Sequence, residues 1–98
     1  MLEFLSKTAK LTKEVKSHAN GLYEQHQELE RERTPEACSK FYRELGTLHG
    51  FAEKNIGEKH PGVVRNLEVA LEYCQNCQKT GNKAACSSVT NFLNYASI

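Results

Sequence analysis

Four cysteines, Cys38, Cys74, Cys77 and Cys86, have the widest chemical reach of any residues in this 98-residue chain. Thiolates bind soft metals, pair into disulfides and act as nucleophiles. A tetrahedral zinc site needs four ligands, with sulfur at ~2.3 Å, and the C-x2-C of Cys74 and Cys77 places two on one helical face. An iron–sulfur cluster takes the same number of thiolates. In an oxidising setting, Cys74 or Cys77 bonded to Cys86 would staple the last hairpin, leaving Cys38 to reach the remaining thiol. Free cysteine is also among the most buried side chains, so an apolar cap of thiols is the simplest use and ranks first. A metal centre held by Cys38, Cys74, Cys77 and Cys86, with zinc as the ion, is the sharper alternative. Redox catalysis ranks last. A nucleophilic C-x2-C sits at a helix amino terminus, where the dipole favours thiolate, whereas Cys74 and Cys77 fall near a carboxyl terminus. Cys86, with Lys83 one turn before it, has the better electrostatic position.

Other constellations are weaker. Arg43 and His49 stand at R-x5-H, within the spacing of an Arg–His ribonuclease motif found in some small helical nucleotide-binding families. Six residues on a helix set them ~120° and nearly two turns apart, so proton transfer by the pair lacks its geometry. His18 and His26 lie on or beside the apolar stripe of the first helix, where polar residues set register and partner number. Lys7, Lys10, Lys13 and Lys16 recur every three residues and read as a solvated face rather than a phosphate track. Tyr23, Tyr42, Tyr73 and Tyr95 read as boundary residues with wet hydroxyls rather than a base-stacking platform. The chain carries no glycine-rich phosphate loop and no nucleophile elbow.

The elements that must position these residues are helices. Proline occurs twice and tryptophan not at all, and apolar residues recur at alternating steps of three and four. The first stripe runs Phe4, Thr8, Leu11, Val15, His18, Leu22, Gln25 and Leu29, widened by Leu5, Ala19, Tyr23 and His26. It continues without a stutter through Asn20-Gly21, so one helix to about Arg33 is expected, with that pair as the place for a kink. Thr34-Pro35-Glu36 supplies a cap, a proline for the first helical position and an acid for the positive end of the dipole. The second stripe is Cys38, Phe41, Leu45, Leu48, Ala52 and Ile56, with Gly57 as the stop. Gly46 and Gly50, inside it, predict a close approach by a neighbour. His60-Pro61-Gly62 opens a third helix with Val63 or Val64, Leu67, Ala70 or Leu71, Cys74 and Cys77 inward. Thr80-Gly81-Asn82 stops it and starts a fourth, from about 83 to 96, with Ala85, Cys86, Val89, Phe92, Leu93 and Ala96.

Short connections favour antiparallel neighbours, so the expected fold is an all-α, up-down-up-down four-helix bundle forming a single domain, residues 1–98. That topology brings the start of the second helix, the end of the third and the start of the fourth to one end. The four thiols would share it.

Composition bounds the function. The apolar share is 39% and the charged share 26%, as in a globular chain, and net charge is +1. No whole-protein field draws the chain to nucleic acid. No apolar run approaches the ~20 residues of a membrane span, and the amino end lacks the pattern of a signal peptide, so a cytoplasmic address is expected. With no catalytic constellation legible, the reading is a non-enzymatic protein–protein interaction module that self-associates or docks a partner helix. Leu11, Val15, His18 and Leu22 on the long first helix would make that contact. A metal-binding protein, its four thiolates holding zinc or an iron–sulfur cluster at one end of the bundle, is the alternative.

Overall fold

In the computed structural model, the backbone of residues 2–31 and 34–98 is described, together with their side chains except those of 2–6 and 35. Four helices follow in order: α1 Leu2–Arg31, α2 Pro35–Ile56, α3 Pro61–Thr80 and α4 Lys83–Ser97. Each of α1 and α3 packs on both α2 and α4, and the diagonal pairs do not meet among the described residues. The result is an antiparallel four-helix bundle, 47 × 19 × 18 Å. Its long axis matches α1, whose 30 residues span about 45 Å at ~1.5 Å each.

The turns form where local chemistry favours them. The Oγ1 of Thr34 accepts from the Ala37 N–H at 3.2 Å, capping α2 ahead of its Pro35. Gly81 ends α3 in the left-handed region at φ 67°, and its N–H donates to the Cys77 carbonyl. A side chain at this φ would be strained, so glycine lets α3 stop here. Asn82 then caps α4 at once, its Oδ1 accepting from the Ala84 N–H at 2.8 Å and the Ala85 N–H at 3.4 Å. A two-residue link therefore joins α3 to α4 and fixes them antiparallel. His60 occupies the cap position of α3 without a side-chain cap bond.

The core is one layer deep. It joins Val15, Ala19 and Leu22 of α1, Phe41, Leu45, Leu48, Ala52 and Ile56 of α2, Leu67, Ala70 and Cys74 of α3, and Val89, Leu93 and Ala96 of α4. Two sequence expectations are corrected, while the single helix expected through Asn20-Gly21 is what α1 forms. Its buried stripe is Thr12, Val15, Ala19, Leu22 and His26, rotated from the expected one so that His18 faces solvent. Neither Gly46 nor Gly50 admits a close neighbour: an added Cβ would meet only Leu71 at 4.0 Å in the first case and nothing in the second. The expected extension of α1 to Arg33 lies outside the described residues.

α4 is half the length of α1, and the Lys16 ammonium donates to the carbonyl of Ile98 at 2.9 Å. The turns of α1 before Lys16 thus run past the carboxyl end of α4. Leu11 and, on α3, Val63 and Val64 are only partly covered.

This packing predicts two graded losses in urea unfolding. Leu45→Ala, at a fully buried site, is expected to cost about 2–5 kcal/mol. Asn82→Ala, removing a cap at the tight α3–α4 link, is expected to cost about 1 kcal/mol.

Candidate functional site

The thiol end of the bundle is built by three helix termini. Cys38 sits in the second turn of α2, its N–H donating to the Thr34 carbonyl. Cys74 and Cys77 lie one turn apart near the end of α3, and Cys86 lies in the first turn of α4. Cys77 and Cys86 are joined by a disulfide with a Cα–Cα distance of 5.0 Å. The bond closes the Gly81-Asn82 hairpin, and both half-cystines are buried beside Ala85. A loop this short is stabilised by roughly 2–3 kcal/mol on the chain-entropy account.

Cys38 and Cys74 are free thiols, Cys38 half-buried and Cys74 buried. They line one small cavity with Cys77, His26, Leu29, Glu30, Phe41 and Gln78. Its volume is about 10 Å³, room for no more than a single water. Burial pushes the Cys74 thiol from its ordinary 9.0 up to about 11, and the neighbouring Cys38 adds to the rise.

The same end carries a polar network that runs from a buried imidazole to an exposed carboxylate. His26 is 5% exposed and sits on the Phe41 ring at 5.0 Å. Its Nδ1 lies 2.7 Å from Thr90 Oγ1, and the Thr90 hydroxyl donates to Glu30 Oε1 at 2.8 Å. Because the only hydroxyl proton goes to Glu30, the Thr90 oxygen accepts, and Nδ1 of His26 carries the proton it donates. Glu30 Oε1 is also 3.4 Å from Nδ1. The network binds α1 to α4 across 64 residues of sequence.

Each residue singled out from the sequence now has a place. For the metal set, Cys77 and Cys86 spend their sulfurs on each other, leaving two thiols, and no group of three His, Cys, Asp or Glu among the described residues could hold an ion. The four-thiolate centre is corrected to one disulfide and a thiol pair. For the partner set, Val15 and Leu22 are 1% and 2% exposed, inside the protein's own core. Leu11 is partly covered and His18 is exposed. The stripe expected to dock a partner is filled by the bundle itself, and a partner reaches only its flank. There, Val15, His18, Glu14, Thr47, Leu48 and Phe51 line a shallow groove of about 230 Å³ between α1 and α2. Arg43 and His49 line separate grooves, Arg43 with Glu36, Ser39, Tyr42 and Gln78, and His49 with Glu53, Pro61 and Arg65 among others.

Sequence reasoning missed an aromatic row on the α3–α4 hairpin. Tyr73 stacks on Phe92 with centroids 5.9 Å apart, and Phe92 meets Tyr95 edge-on at 5.5 Å. Tyr73 is 36% and Tyr95 53% exposed, so the row is open to solvent. The rings surround no buried hydroxyl and form a surface of their own.

Comparison adds no family. No protein-family model, curated protein or solved structure matches the chain.

Two measurements check this geometry. Thr90→Val removes the hydroxyl between His26 and Glu30 and is expected to cost roughly 1–3 kcal/mol in urea unfolding. The raised Cys74 thiol means the fold favours the neutral form. Its contribution is therefore fully present below pH 9 and is lost as pH rises through about 11. The parent should lose on the order of 2 kcal/mol more than Cys74→Ala between these limits.

Proposed function

We propose that this protein is a non-catalytic interaction module that pairs with a second copy of itself through the α3–α4 face. The observation that carries this reading is the aromatic row in which exposed Tyr73 and Tyr95 meet the partly buried Phe92, along a fourth helix without charge from Ala84 onward. From Ala84 to Ile98, α4 holds no ionisable side chain except the Tyr95 phenol and the bonded Cys86. On α3, the stripe that includes Tyr73 is Asn66, Val69, Tyr73 and Asn76 at steps of three and four, also uncharged. Charge borders that stripe without entering it: Glu72 and Arg65, which pairs with Glu68 at 3.2 Å, each stand one turn from Val69. Tyrosine and phenylalanine among amides and hydroxyls, with lysine and glutamate excluded, is the composition of interface centres.

Charge also favours a second copy as the occupant. A two-fold contact sets each residue near the axis against its own copy, so a charge at that position meets a like charge. The exposed sides of α1 and α2 carry lysines, arginines and glutamates along their length. The α3–α4 face can meet itself without that penalty.

Area bounds the strength. Twenty residues of α3 at ~1.5 Å each and a bundle 18 Å wide give a footprint of about 500 Å² per copy. The pair buries on the order of 1,000 Å², at the lower limit for a specific interface, which fits a reversible dimer rather than an obligate one.

The disulfide supports an oxidising setting over the cytoplasmic one expected from the amino end, because glutathione keeps cytosolic thiols reduced. No helix among the described residues is long and apolar enough to cross a membrane.

Sedimentation equilibrium over the micromolar range tests the dimer. The parent and a His18→Glu control on α1 are expected to self-associate, while Tyr95→Lys, at an exposed site, is expected to stay monomeric with an unchanged helical spectrum. A monomeric parent, or a Tyr95→Lys variant that still pairs, rules the reading out.

A further inference from the structure

The two thiols left over from the hairpin staple are placed for a chemistry of their own. Cys38 and Cys74 belong to adjacent helices, and both line the cavity that Cys77 also borders. At about 10 Å³ the cavity has no room for a substrate or an organic cofactor. Neither is a metal supported, since no group of three His, Cys, Asp or Glu among the described residues is placed to hold an ion. What the space does allow is bond formation between the sulfurs that border it.

We propose that Cys38 and Cys74 form a second, reversible disulfide that ties the start of α2 to the end of α3. With Cys77–Cys86 already joining α3 to α4, the two bonds chain three helices together at one end of the bundle. The co-reactant is a low-molecular-weight disulfide, written RS–SR. Cys38 is the entry thiol because it is half-exposed, whereas Cys74 is buried. The Cys38 thiolate attacks one sulfur of RS–SR. An S–S bond forms to Cys38, the original bond breaks, and one RS⁻ leaves with the electron pair. Cys74 then loses its proton to the departing thiolate or to solvent and attacks Cys38 Sγ, expelling the second RS⁻. In balance, two protein thiols are oxidised to one disulfide and RS–SR is reduced to two RSH, carrying both protons.

Burial sets the order and the pace. Cys74 holds its proton until about pH 11, so it scarcely attacks a free oxidant near neutrality. Once Cys38 carries the mixed disulfide beside it, the second attack is intramolecular and gains the advantage of proximity. The resolving step is thus slow but directed, and reduction by excess RSH reverses it through the same half-exposed sulfur. The loop closed by the new bond spans residues 38 to 74, far longer than that of the hairpin staple, so the unfolded chain is constrained more strongly.

The test uses the full chain with Cys77–Cys86 intact and oxidised glutathione as the probe, followed by alkylation and non-reducing peptide mapping. Both free thiols are expected to disappear, a Cys38–Cys74 linked peptide to appear, and the thermal midpoint to rise by roughly ten degrees. Cys74→Ser is expected to stop at a stable glutathione adduct on Cys38, and Cys38→Ser to leave Cys74 unmodified. The proposal is overturned if the parent itself accumulates the Cys38 adduct, if neither thiol is consumed, or if either pairs with Cys77 or Cys86. It is equally overturned if Cys74 reacts in the absence of Cys38. None of these readings depends on whether the chain dimerises.

Discussion

The closure of α1 against α4 is the contact on which the bundle depends. Every other helix pairing joins consecutive elements across a turn of a few residues, so the chain brings those partners together at little cost in loop entropy. α1 and α4 have no such help, since 64 residues separate His26 from Thr90. What holds them is packing in the shared core, where Val15, Ala19 and Leu22 meet the layer of Val89, Leu93 and Ala96. To that packing the His26–Thr90–Glu30 network adds direction. Apolar stripes can slide by a turn at modest cost, but a buried imidazole that slides loses its partners and leaves a polar group unsatisfied. The network therefore sets the level at which α4 meets α1, and with it how far the amino-terminal turns of α1 run past α4.

That register explains the thiol end. With α4 fixed on α1 and tied to α3 by the Gly81-Asn82 link, the first turn of α4 and the last turns of α3 have one arrangement available. The disulfide follows from it rather than creating it, because helices joined by so short a link already place Cys77 and Cys86 across from one another. Cys38 arrives from a different direction, on α2, and lines a cavity with Cys74 and with Cys77, whose sulfur is already bonded to Cys86. The four thiols thus divide by geometry into a bonded pair and a free pair, and one tetrahedral centre is not available to them.

Much of the fold was legible in the residues. The helix boundaries followed from Thr34-Pro35, Gly57, Pro61 and Gly81-Asn82, each of which acts through local backbone chemistry that needs no tertiary context. The α2 and α3 stripes were also read correctly, as Phe41, Leu45, Leu48, Ala52 and Leu67 show. On α1 the stripe was read with Val15, Ala19, Leu22 and His26 inside it but centred toward His18, which is exposed, rather than Thr12, which is buried. Its polar residues at Thr12, His18, Gln25 and His26 blur the apolar pattern, and the partner of His26, Thr90, lies far away in sequence. A polar residue on an apolar stripe was the available signal, but not its partner. The division of the cysteines was hidden for a similar reason, since spacing along a helix gives a face and not the distance to the next helix. The absence of charge from Ala84 onward was visible in the sequence as well. It gained meaning only when register placed Tyr73 against Phe92 and Tyr95.

The distribution of polar chemistry then follows a single logic. A small bundle with one core layer has little apolar surface to spare, and its α1 and α2 exteriors are heavily charged, which keeps those faces solvated and apart. Leaving Tyr73 and Tyr95 exposed on α3–α4, with Phe92 only partly covered, gives up burial that folding alone would favour. The turn of the same hairpin is fixed by the cap at Asn82, the left-handed Gly81 and the covalent bond beside them. A surface that must present rings in a defined row needs a support that does not flex, because side chains on a fraying helix would lose the ordering that makes stacking productive. In this fold the stapled turn and the uncharged fourth helix belong to one hairpin, and the proposed docking face rests on that overlap.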